Sequence, residues 1–157
     1  MKKIFLIIIV FALTGCKQNY NNSKLNPSPF IFRSLNLLQK KPNGDRDWLL
    51  KSPEARYDLP NRIIKAKSPN GIIYSNNKPS YTIKSDIANI LNDGKILLME
   101  GNIVFKQLKG QEILITSDII IWDTSKSVLY IEQRPTASIK DSTLISKRAF
   151  FNQISQE

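Results

Sequence analysis

Cys16 is the only cysteine of this chain, and histidine is absent from all 157 residues. No intrachain disulfide can form. Neither a Ser-His-Asp nor a Cys-His site can be built, and zinc would have to rely on carboxylates alone. The carboxylates do not gather for such work. Asp86 and Asp118 recur at equivalent bends of an internal repeat, which predicts Asx-type bonds to nearby backbone. Asp45 and Asp47 flank Arg46 in a solvated turn. No Asp/Glu pair falls on a predicted strand end, as a glycan-processing enzyme requires. No glycine-rich phosphate loop or EF-hand spacing occurs. These patterns point away from an enzyme, a metal and any cofactor. The group best placed for chemistry is the Cys16 thiol, preceded by Leu13-Thr14-Gly15.

Its setting defines that chemistry. Lys2 and Lys3 precede an apolar run over residues 4–13, and small residues follow. Basic, apolar, then small is the order of a secretory signal peptide. The run has about half the ~20 residues needed to span a bilayer. With cysteine directly after the small pair, the segment resembles a bacterial lipoprotein lipobox. The resemblance implies cleavage before Cys16, thioether diacylation of its sulfur and N-acylation of the new terminus. Residues 1–15 are thus expected to be signal peptide. Residues 16–29, polar and Asn/Pro-containing, are expected to form an acylated cysteine and a flexible tether. Lys17 is not the Asp that retains lipoproteins at the inner membrane in some bacteria, so the outer membrane stays open.

The net charge of +10 is unevenly placed: residues 1–67 carry 13 Lys/Arg against 4 Asp/Glu, and residues 68–157 carry 10 against 9. Two readings stand. A basic excess beside a lipid anchor suits an anionic membrane surface, and a Lys/Asn/Ile-rich genome produces the same composition. No aromatic-interleaved basic patch is present, so nucleic acid is not an expected partner.

From Phe30 onward the chain consists of short apolar runs rich in Ile, Val, Tyr and Phe. Turn residues separate them at Pro42-Asn43-Gly44, Pro69-Asn70-Gly71, Asn92-Asp93-Gly94, Lys109-Gly110 and Asp123-Thr124-Ser125. No 3.6-residue periodicity extends over ten residues behind the apolar leader. The expected class is all-β, with one domain over residues 30–152 and a short tail, 153–157. Residues 83–105 align without gaps to residues 115–137 at an offset of 32, pairing Ser85 with Ser117, Asp86 with Asp118 and Leu97 with Leu129. A fainter copy places Ser52 before Ser85 at an offset of 33, and a truncated one places Ser146 after Ser117 at 29. Each unit reads as strand, Ser-led bend, strand, turn, strand. Such a unit cannot bury its apolar face alone, so stacked copies must supply the core.

The repeat, Gly101-Asn102-Ile103-Val104 and residues 117–123 are similar to the OstA/LptA/LptC group of lipopolysaccharide-export proteins. The segments Phe32-Arg33-Ser34-Leu35-Asn36-Leu37, Gly44-Asp45-Arg46-Asp47-Trp48-Leu49-Leu50 and Glu54-Ala55-Arg56-Tyr57-Asp58 narrow the resemblance to LptC. The best-known pattern there begins with a transmembrane helix, where this chain has a lipobox. The resemblance implies an antiparallel β-jellyroll, an open sandwich of repeated hairpin units of about 30 residues. It also implies a non-enzymatic carrier at the periplasmic face of the inner membrane. Such a carrier accepts lipopolysaccharide from the inner-membrane ABC transporter and passes it to a periplasmic bridge protein of the same fold by edge-strand stacking. Residues 143–151 are the expected edge toward the bridge, and residues 30–38 the edge toward the transporter.

Acyl chains need a continuous apolar lining. Period-2 alternation offers two parities, because Ile119-Ile120-Ile121-Trp122 is apolar on both. The chosen lining is Ile83, Ile103, Phe105, Ile113, Ile115, Ile119 and Ile121, with Leu97 and Leu129 beside them. Each of these residues equally suits an ordinary sandwich core. Lys84, Lys106, Lys140 and Arg148 suit lipid phosphates or plain solvation. The alternative function is a scaffolding envelope lipoprotein that carries no lipid.

Overall fold

A computed structural model describes residues 30–110 and 112–153; the signal peptide, Cys16, the tether and the last four residues lie outside them. Twelve antiparallel strands form one continuous sheet. In chain order they are β1 Phe30–Lys40, β2 Arg46–Asp58, β3 Ile63–Lys67, β4 Asn70–Ser75, β5 Lys78–Lys84, β6 Ile87–Leu91, β7 Ile96–Gln107, β8 Ile113–Asp123, β9 Val128–Glu132, β10 Thr136–Ile139, β11 Ser142–Ile145 and β12 Ala149–Asn152. A single 3₁₀ turn, Asn92–Gly94, separates β6 from β7.

The sheet is creased into two walls because its long strands change partner midway. β2 pairs with β4 through residues 48–51 and with β3 through residues 54–58. β7 pairs with β6 through residues 96–100 and with β5 through residues 104–107. β8 pairs with β10 through residues 113–116 and with β9 through residues 119–123. One wall therefore holds β4, β5, β10 and β11, the other β3, β6, β9 and β12. This is the expected all-β jellyroll built from repeated units.

A serine stands at the corners of β2 and β8 and at the β5–β6 and β11–β12 junctions, whereas β7 crosses at Gly101-Asn102. The hydroxyls of Ser52, Ser85, Ser117 and Ser146 donate to the carbonyl oxygen two residues on, at 2.6, 2.8, 3.0 and 2.7 Å. The strand bends there, and its inward parity shifts by one residue. Inward positions therefore fall four and two residues before the serine and three and five after it. The buried sets Trp48, Leu50, Ser52, Ala55 and Tyr81, Ile83, Ser85, Ala88, Ile90 follow this rule.

The Gly101-Asn102 signal is a β-bulge in β7 opposite that bend. Register shifts between Glu100 and Ile103, and Gly101 and Asn102 both adopt positive φ, 75° and 43°. Glycine and asparagine are the residues that tolerate this conformation best. The Asp86 carboxylate accepts from the Asn102 side chain at 2.7 Å. The Asx bond expected of Asp86 is thus replaced: serine makes the local backbone bond, and the aspartate braces the bulge.

Four of the expected turns lie between strands. At Pro69-Asn70-Gly71 the turn falls earlier, at Ser68 and Pro69, and Gly71 lies within β4 opposite Leu50 and Ile83. A Cβ on Gly71 would stand 2.7 Å from Ile83 Cγ2, so glycine is required by packing. The β4–β5 hairpin turns on Asn76-Asn77, both at positive φ, a turn signal absent from the expected set.

Candidate functional site: the apolar interior and its open edges

Cross-strand pairing aligns the inward residues into rows. In one wall Leu37, Leu50, Gly71, Ile83, Phe105, Ile115, Ala137 and Leu144 stand side by side across eight strands. In the other, Tyr57, Ile64, Ile90, Leu97, Trp122, Leu129 and Phe151 do the same. The walls meet through aromatic contacts. Trp48 and Trp122 stand 5.8 Å apart, and Phe151 packs on Tyr81 and Phe105 at 5.0 and 5.3 Å.

Ile83, Leu97, Ile103, Phe105 and Leu129 are core residues, at most 1% exposed. Ile115 packs against that core, and Ile113 shares its parity at the start of β8. Ile119 and Ile121 do not join them. The shift at Ser117 turns Ile120 and Trp122 inward and leaves Ile119 and Ile121 half-buried on the outer face. The expected single face of Ile113, Ile115, Ile119 and Ile121 is therefore corrected: it spans a bend at which period-2 alternation breaks.

The outer ladder also explains why this stretch is apolar on both faces. Leu98, Ile121, Tyr130 and Phe150 stand in register there. Lys84 and Lys140 are exposed. Lys106 and Arg148 form surface ion pairs with Glu112 and Glu132 at 2.8 and 2.7 Å.

Trp48, Leu50, Ile73, Tyr81, Trp122, Ile131 and Phe151 also belong to the interior, with Ile90, Met99 and Ile120, and lie outside the lining expected from sequence. Reading each serine as a parity shift would have found most of them.

Among the described residues both ends of the sheet are open: β1 pairs only with β2, β11 only with β10 and β12 only with β9. These strands include the two segments expected as edges. The exposed large apolar residues concentrate there: Phe30, Ile31, Phe32 and Leu38 at one end, Leu144, Ile145 and Phe150 at the other. Phe30 and Phe32 lie opposite inward Tyr57 and Ala55, and Leu144 lies opposite Ala137. The apolar inner face thus reaches both edges and is exposed at each.

Three buried polar atoms of the interior have no hydrogen-bond partner among the described residues: Trp48 Nε1, Trp122 Nε1 and Gln107 Oε1. Each such atom costs about 1–3 kcal/mol.

A serine-cornered, repeat-built β-jellyroll, open at both sheet edges and apolar between its walls, is the class defined by these features. The family model for LptC-related lipopolysaccharide-assembly proteins matches residues 4–153, and the chain belongs to that family. Membership gives it a role in lipopolysaccharide transport. Among curated proteins no match was found.

Proposed function

We propose that this protein is a non-enzymatic carrier that accepts lipopolysaccharide from the inner-membrane ABC transporter and hands it to a periplasmic bridge protein of the same fold. The observation that carries this reading is the continuity of the apolar inner rows with two unpaired edges. A partner strand added at either edge lengthens the sheet and the apolar lining together. An exposed edge is ordinarily an aggregation hazard, and a chain built to join others has reason to keep one. Acylation of Cys16 would hold the domain at the periplasmic face of the inner membrane, since two or three acyl chains anchor stably where one does not.

A scaffold that carries no lipid is the second reading. It is favoured by the packing of the interior, where the aromatic contacts hold the two walls together. A carrier must let the walls part from an edge to admit acyl chains.

Photo-crosslinkers at Phe105 and Ile115, inside, and at Ile121, outside, separate the two. The carrier gives ATP-dependent lipopolysaccharide adducts at the inner positions and none at Ile121. No adducts at either inner position would leave the scaffold. Cys16→Ser should remove acyl label and leave an unprocessed precursor; normal processing of that variant would refute the lipobox.

A further inference from the structure

Buried tryptophan N–H groups usually find an acceptor, because the ring's area can be buried as well by phenylalanine without an unpaired donor. This interior buries two indoles against each other without one. Trp48, 1% exposed, belongs to the wall of β4 and β5, and Trp122, 2% exposed, to the wall of β9. Their rings face across the interior at 5.8 Å and 60°. Among the described residues no group accepts from either Nε1. Trp48, Ile73, Tyr81 and Gln107 are neighbours in one inner row. That row ends on the unpaired acceptor Gln107 Oε1.

The pair also lies beneath a seam closed by two turns. A Cβ on Gly94 would stand 3.3 Å from Trp48 Cζ2, so the Asn92–Gly94 turn rests directly on the indole. The Thr124 hydroxyl, from the β8–β9 turn, donates to the Gly94 carbonyl at 3.0 Å. Trp122 immediately precedes Asp123 at that same turn. The two indoles thus sit directly beneath the turns that join the walls on this side.

We infer that Trp48 and Trp122 form a binding site for the ester and amide carbonyls of an acylated lipid, with their N–H groups as donors and Gln107 Oε1 accepting from a lipid hydroxyl or amide. Acyl chains would lie along the buried rows while the carbonyls, at the junction of chain and head group, take the donors. This assignment rests on the carrier reading and names the residues that fix the cargo's depth.

The test uses an accident of composition: these are the only two tryptophans of the chain. Intrinsic indole emission therefore reports on this pair alone. The full chain, solubilised in detergent, is titrated with lipopolysaccharide and, separately, with phosphatidylglycerol, and binding is scored independently by co-migration of labelled lipid. The site predicts a red-shifted emission on binding. It also predicts roughly tenfold weaker binding when both positions carry 3-benzothienylalanine, which keeps the ring shape and lacks the N–H. The double variant Trp48→Phe/Trp122→Phe should bind as weakly while its urea midpoint stays at or above that expected for the lost ring volume. A response to lipopolysaccharide alone assigns the carbonyls to that lipid, and an equal response to phosphatidylglycerol supports the site with phospholipid as its source. Bound lipopolysaccharide with unchanged emission and unchanged affinity of the isostere overturns the site and leaves the carrier standing. No co-migration of either lipid removes both.

Discussion

The Ser117 hydroxyl lies 3.0 Å from the carbonyl oxygen of Ile119 and 2.5 Å from that of Glu132, so one proton serves two backbone acceptors at the corner of β8. Ser52 repeats the arrangement with Glu54 and Lys67, at 2.6 Å to each. Where the strand leaves one neighbour for another, the serine ties its own strand to the next by bonding a carbonyl on each. The same side chain therefore sets the bend and joins the two strands at it.

Ser117→Ala should lower stability by about 1–2 kcal/mol, because the hydroxyl's bonds to both strands are lost. Ser146→Ala, at the exposed corner between β11 and β12, should stay within about 0.5 kcal/mol. Urea unfolding of both variants checks this. Equal effects at the two sites would remove the hydroxyl from the account of the crease.

Gly101 holds φ at 75°, and a Cβ there would fall 2.5 Å from Asp86 Oδ2. Gly101→Ala should cost about 1–3 kcal/mol through strain and the displaced Asp86–Asn102 brace. Gly110→Ala, also at positive φ but with only a side-chain atom at 3.5 Å, should cost less. A thermal or urea comparison that ranks them the other way contradicts the bulge argument.

The two edges should separate by partner. Ile145→Lys places a charge on the outer face of β11, where no strand follows. It should abolish co-purification with the bridge protein and keep the transporter. Phe32→Asp at the β1 edge should do the reverse. Both positions are exposed, so unfolding midpoints should move by no more than about 0.5 kcal/mol. Loss of both partners in either variant would show that the edges are not assigned one to each.

Two carboxylates give opposite pH signs. Bonds from Ser125 and then Lys126 hold the Asp123 carboxyl below its ordinary range. Its contribution is present at neutral pH and is lost as pH falls through the lowered folded value. Burial pushes the Asp47 carboxyl up, against a smaller effect of Lys41. Its charged form therefore destabilises the fold at neutral pH, and that penalty fades as pH falls. Asp123→Asn should be less stable than the parent at pH 7, and Asp47→Asn more stable, with both differences shrinking in acid. Urea midpoints at pH 7 and pH 4 measure the pair; a gap that widens in acid for either variant reverses its assignment.

Residue types and spacing by themselves determined much of this protein. Short β-branched runs between turn residues specify strands whatever their partners, and the serine spacing marks the repeat because each unit needs the same corner. The family likeness and both edge segments were legible for the same reason: they depend on local pattern. The inward face of β8 was not. Ile119-Ile120-Ile121-Trp122 is apolar on both parities, and alternation predicts a face only while the strand keeps its register. At Ser117 the strand exchanges β10 for β9, and the parity shift moves Ile120 and Trp122 inside. Only the assembled sheet, in which each strand's neighbours are fixed, could decide that exchange and bring Trp48 from one wall against Trp122 of the other.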